Sequence, residues 1–147
     1  MNSLKTQVKE RLSPWVINWY EHSARRVYID VKIEALKEIA KILFKDLGLR
    51  FATASGCDTP RGIEILYHFS FDSTGEIFSL RVLIEDRNNP QIDSLATLFS
   101  GAEWIEREIW ELLGVNFKGH PNLKHLLLVE DWPEGKYPLR KNRKIIQ

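Results

Sequence analysis

The strongest constraint in this sequence is a pair of alternating runs joined by a short turn. In Gly62 to Phe71, the residues Ile63, Ile65, Tyr67, Phe69 and Phe71 occupy every second position, and in Glu76 to Glu85 Phe78, Leu80, Val82 and Ile84 do the same. Successive side chains of an extended strand point to opposite faces, so each run gathers its large apolar groups on one side. Between them, Asp72-Ser73-Thr74-Gly75 combines side chains that bond the local backbone with a glycine free to adopt positive φ. The two runs therefore predict an antiparallel hairpin with one face made for a core. A lone hairpin cannot bury that face, so the rest of the chain must supply more strands and a covering layer.

Further strands are legible. Val27, Ile29, Val31 and Ile33 alternate with Tyr28, Asp30 and Lys32, and Leu49 to Ala54 reads as another strand. The covering layer comes from helical spacing: Leu36, Ile39, Ala40, Leu43 and Leu47 within Glu34 to Leu47, with Gly48 placed to end the helix. Leu4 to Leu12 reads as a short helix stopped by Ser13-Pro14. Ser100-Gly101-Ala102-Glu103 has capping-box spacing and opens a helix whose apolar stripe is Ile105, Ile109 and Leu112 and whose end is Gly114. After it, Gly119, Pro121, Pro133, Gly135 and Pro138 keep interrupting regular structure, which predicts an extended, irregular arm. The expected fold is α/β of the two-layer α+β kind, a mostly antiparallel sheet with helices on one face. At 147 residues and 44% hydrophobic, the chain is expected to form one domain over 1–147, with a core at about 15–114 and a docking arm at 115–147.

Charge and cysteine usage narrow the function. The 21 basic and 20 acidic residues nearly cancel, so no overall field favours nucleic acid or an anionic membrane. The C-terminal stretch differs: Lys136, Arg140, Lys141, Arg143 and Lys144 meet no acidic residue between Lys136 and Gln147. Cys57 is the single cysteine, which rules out an intrachain disulfide and falls short of the roughly four thiolates an iron-sulfur cluster takes. No run of about 18 apolar residues and no signal-peptide-like start occurs, and the expected location is cytoplasmic, with membrane contact only through partners.

Several residues invite a chemical reading. Glu106, Arg107 and Glu108 beside Trp110 could form a catalytic carboxylate cluster, but their spacing with Glu103 and Glu111 also fits a solvated, charge-paired helix face, and the latter is expected. His120 and His125 are too few and too irregularly spaced for a zinc or iron site. Cys57 in Ser55-Gly56-Cys57-Asp58, with His120 as base, is a weak nucleophile pairing, and no phosphate-binding glycine loop occurs. The basic tail could neutralise nucleic-acid phosphates, yet Tyr137-Pro138-Leu139 interrupts it with groups suited to docking on an acidic protein surface.

The segment Glu106 to Leu128, EREIWELLGVNFKGHPNLKHLLL, closely resembles the signature of the 30-kilodalton subunit family of respiratory complex I, the family of its C-type subunit. Glu106, Arg107, Glu108, Trp110, Gly114, Val115, Phe117, His120, Pro121 and Leu123 match; Glu111, Leu113 and Lys124-His125 depart from the usual aspartate, aromatic and arginine pair. Asp131 to Lys141, with Trp132, Tyr137, Pro138, Leu139, Arg140 and Lys141, looks like the family's second signature. Its Tyr-Pro-Leu-Arg-Lys form, with the upstream Ser-Gly-Cys-Asp loop, is more similar to the corresponding subunit of energy-converting membrane-bound nickel-iron hydrogenases.

The resemblance implies an α/β fold without a redox centre, docked against a large catalytic subunit and a small iron-sulfur subunit. Iron-sulfur clusters, and nickel-iron in a hydrogenase, would then sit in those partners. It further implies that the arm drapes over the large subunit, with Arg140 and Lys141 pairing to its carboxylates. The alternatives are the equivalent 30-kilodalton subunit of a quinone oxidoreductase fed by NADH or ferredoxin, or of a sulfur-reducing complex; more remote are a free-standing small enzyme and a nucleic-acid-binding module.

Overall fold

A computed structural model describes residues 3–124 and 136–141. The hairpin forms as the alternation requires. β4 (Gly62–Phe71) and β5 (Glu76–Ile84) pair antiparallel, with Ile65 opposite Val82 and Phe69 opposite Phe78. β3 (Arg50–Thr59) adds antiparallel to the free side of β4, and β2 (Arg26–Val31) adds parallel to β5, Val27 beside Phe78 and Ile29 beside Leu80. β1 (Val16–Ser23) closes the far side, giving a five-stranded sheet of order β1-β2-β5-β4-β3. The α+β architecture is as the sequence predicts, with a single parallel junction in a sheet otherwise antiparallel.

Cross-strand partners share a face, so Val27, Ile29, Ile65, Tyr67, Phe69, Phe78, Leu80 and Val82 line one surface and are almost wholly buried. Three helices cover it. α1 (Leu4–Leu12) contributes Val8 and Leu12, α2 (Leu36–Lys41) contributes Leu36, Ile39 and Ala40, and α3 (Ala102–Leu113) contributes Ala102, Ile109 and Leu113. α3 lies over β3, where Gly56 allows the close approach: a Cβ there would come within 2.6 Å of Leu113 Cδ1.

The structure corrects several expectations. The helix read over Glu34 to Leu47 is a composite, a 3-10 turn at Ile33–Ala35, then α2, then a π turn at Ile42–Asp46 in which Leu47 N–H donates to Ile42 O at 3.0 Å. The wider last turn keeps both Ile42 and Leu43 buried before Gly48, at φ +73°, ends the helix. Ser100 does not cap α3: Gly101 holds that position without a side-chain bond, and only the Ser100 carbonyl is used, by Glu103 N–H. The stripe of α3 is Ala102, Glu106, Ile109 and Leu113 rather than Ile105, Ile109 and Leu112. The core also reaches beyond 15–114, because Val8 and Leu12 are buried before it and Val115 and Phe117 after it. Residues 116–118 begin the supposed irregular arm as a strand, β7 (Asn116–Lys118), paired parallel with β6 (Gln91–Asp93).

Candidate functional site

The charges of the first signature lie inside the molecule. Glu106 is fully buried, Glu111 is 1% exposed and Arg107 is 5% exposed, which overturns the solvated-face reading of α3. An ionised group is costly to bury unless it is bonded, and Glu106 is bonded twice. Its Oε1 accepts from Ser94 Oγ at 2.5 Å and its Oε2 from the Leu95 backbone N–H at 2.7 Å. The carboxylate thus ties α3 to the segment that follows β6. Burial raises the Glu106 pKa above the usual carboxylate range, and the Leu95 N–H, the Ser94 hydroxyl and the nearby His120 ring partly offset that rise. Beneath it, burial and then the charges of Glu106 and Asp93 push the Tyr67 phenol well above its usual pKa.

His120 completes this cluster as a structural residue. Its Nε2 lies 2.9 Å from Glu103 O, while Nδ1 accepts from Asn122 N–H at 2.9 Å. Those two contacts ask for the tautomer protonated on Nε2, leaving no ring nitrogen to serve Cys57 as a base. The imidazole bridges α3 and the chain beyond Gly119, which turns at φ +84°. Arg107 sends Nε to Lys124 O at 3.0 Å and stacks its guanidinium 4.9 Å from the Trp104 ring. Trp110 packs half-buried against the core, Phe117 is buried in β7, and Pro121 is exposed. Glu108 points to the half-exposed side of α3.

The second signature folds back on the same helix. Gly114 ends α3 at φ +77°, and the Tyr137 ring packs so closely that a Cβ on Gly114 would meet it at 2.5 Å. Leu139 N–H donates to Leu112 O at 2.9 Å. Arg140 donates from Nε to Leu113 O at 2.6 Å and from Nη2 to Arg87 O at 3.0 Å, with its guanidinium 5.9 Å from the Tyr137 ring. Lys141 N–H donates to Asp58 Oδ2 at 2.8 Å. Asp58 is 3% exposed on β3, and its Oδ1 lies 3.2 Å from Arg87 Nη2.

A clasp therefore joins the Ser-Gly-Cys-Asp loop to the Tyr-Pro-Leu-Arg-Lys segment, a link that sequence inspection missed. Arg140 uses two of its donors on backbone carbonyls of its own chain, contrary to the expectation that it reaches out to a partner. The Lys141 side chain, Pro138 and Leu139 remain exposed, Leu139 at 53%. Cys57 is exposed on β3. Trp132 and His125 lie outside the described residues.

Residues 29–147 match the family model of the 30 Kd subunit of respiratory-chain NADH dehydrogenase. The chain belongs to this family. Among relatives of this 30 Kd subunit family, the C subunit of an NADH-quinone oxidoreductase from Citrifermentans bemidjiense is 32% identical over 146 residues, covering 96% of this chain and 88% of the relative. The C subunit of the F(420)H(2) dehydrogenase of Methanosarcina mazei is 34% identical over 120 residues, covering 80% of this chain and 73% of that one. A fused C/D subunit of NADH-quinone oxidoreductase from Bacteroides thetaiotaomicron is 35% identical over 98 residues; the match covers 65% of this chain and only 18% of that much longer protein.

Two solved structures share the fold of this 30 Kd-type subunit. A chain of the membrane-bound sulfane sulfur reductase, an archaeal respiratory membrane complex, superposes with a TM-score of 0.84 at 21% identity, over 97% of this chain and 85% of that one. A trypsin-resistant fragment of Nqo5 does so with a TM-score of 0.68 at 23% identity, over 82% of this chain and all of the fragment. No helix among the described residues is long and apolar enough to cross a membrane.

Proposed function

We propose that the chain is an accessory subunit, without a redox centre of its own, in the cytoplasmic peripheral arm of a complex I-related membrane-bound oxidoreductase. In this reading it holds the large catalytic subunit and the small iron-sulfur subunit together, and the clusters belong to those partners. The observation that carries it is the use made of the signature charges. Glu106, Arg107, Asp58 and Arg140 each bond backbone groups of their own chain, as staples do, instead of converging on a cleft where a substrate would react. The single cysteine, and relatives named as the C subunits of two electron-transfer enzymes, support the same reading.

Within that class, the Ser-Gly-Cys-Asp loop and the Tyr-Pro-Leu-Arg-Lys segment favour an energy-converting nickel-iron hydrogenase, and the fold joins these two segments in one clasp. The names of the relatives favour a second reading, the C subunit of a quinone- or F420-linked dehydrogenase. Affinity purification of the chain from its native membranes in mild detergent, with mass spectrometry and metal analysis, separates these. Large and small redox subunits with iron are expected, with nickel for the hydrogenase; iron without nickel selects the second reading. A chain recovered alone and metal-free overturns both.

A further inference from the structure

The two edges of the sheet are finished differently. Unpaired strand edges attract foreign strands, and proteins guard them with charge and irregularity. β1 is guarded: it has two register shifts, Glu21 pairs with Lys5 at 3.1 Å, and Lys9 lies 5.3 Å over the Trp19 ring. β3 is not. Between Arg50, paired with Asp72, and the buried Asp58, its seven residues Phe51 to Cys57 contain neither a charge nor a proline. That stretch offers about 23 Å of edge.

A groove of about 180 Å³ runs beside this edge, bounded by Gly56, Ile105, Ile109, Leu112 and, from the clasp, Leu139. Glu108 stands in its wall, half-buried and without an ion partner among the described residues. A free backbone edge, an apolar slot and an unneutralised carboxylate together specify an occupant: an extended segment with an aliphatic side chain beside a lysine or arginine.

We infer that the β3 edge and its groove dock such a segment of a partner subunit, which adds a strand to β3, seats its aliphatic side chain over Ile105 and Leu112, and pairs its cation with Glu108. This rests on the accessory-subunit reading and names the surface that serves it. The test compares amide hydrogen exchange in the purified chain with exchange in the complex isolated from membranes. Outward amides within Arg50–Thr59 slow by about tenfold or more in the complex, while those of β1 change little. The variant Glu108→Arg recovers about tenfold less of the partner subunits, with the thermal midpoint of the free chain unchanged.

If partners co-purify but the β3 edge exchanges as fast as in the free chain, and Glu108→Arg retains them, the docking surface is refuted and the subunit reading stands. If no partner co-purifies, both fall. Slowing of the β3 edge with rising concentration of the chain alone makes the occupant a second copy and overturns the assignment to a partner.

Discussion

The β4–β5 hairpin and the α3 clasp are built on opposite principles. The hairpin is held by side chains with no polar atom to satisfy: Ile63, Ile65, Phe69, Phe78, Leu80 and Val82 are each 0% exposed. The clasp is held by charged groups aimed at backbone N–H and C=O groups, with Glu106, Asp58, Arg107 and Arg140 each crossing between segments distant in sequence. The hairpin tolerates error in any single contact, because dispersion and burial are summed over many atoms. The clasp does not, because removing one partner strands the other in a place without water.

The largest effect expected on this contrast is at the hairpin. Phe69→Ala should cost about 3–5 kcal/mol in urea unfolding of the purified chain, by lost transfer energy plus the cavity left behind. Glu106→Ala comes next: Ser94 and the Leu95 N–H lose their buried acceptor, and a loss of about 2–4 kcal/mol is expected. Glu106→Gln, which keeps an acceptor oxygen, should lose clearly less; equal losses in the two variants would break the staple account. Gly114→Ala should cost about 1–2 kcal/mol, since a Cβ is strained at positive φ and must displace the Tyr137 ring; a thermal melt shows it.

The smallest effect is pH-dependent. Burial raises the folded-state pKa of Glu106 above the usual 4.5, so the fold keeps this proton to higher pH than the unfolded chain does. Over the window from 4.5 up to that raised value the folded state binds more protons, and stability falls as pH rises. Below the window this contribution is fully present; above it the loss is complete. The stability of Glu106→Gln relative to wild type should therefore climb with pH through that window and then level, and an opposite slope would contradict the assigned cause.

Sequence reading reached one half of this comparison far better than the other. The strands of the hairpin were legible because alternation is local and each residue carries the information by itself. β1 was not, since only Val16 and Trp19 in its Val16–Ser23 are even partly buried and no alternation results. The burial of Glu106, Arg107 and Glu111 was hidden for a different reason. Charges spaced like a solvated helix face look the same whether water or a distant backbone group satisfies them, and those backbone groups, at Leu95 and Lys124, have no sequence signal. Glu106 does fall in register with Ala102, Ile109 and Leu113, a cue that spacing alone could have given. The link between Asp58 and Lys141 spans 83 residues, beyond any local pattern.

The most direct test of the central claim, that the signature charges hold this chain to itself, is hydrogen exchange of the Leu139 amide in the purified chain with and without Arg140→Ala. The clasp account predicts that Arg140→Ala speeds exchange at Leu139 and lowers unfolding stability by about 1–3 kcal/mol with no partner present. Unchanged exchange and stability in the isolated chain, with loss only of complex recovery, would show that Arg140 serves a partner surface and would contradict the account.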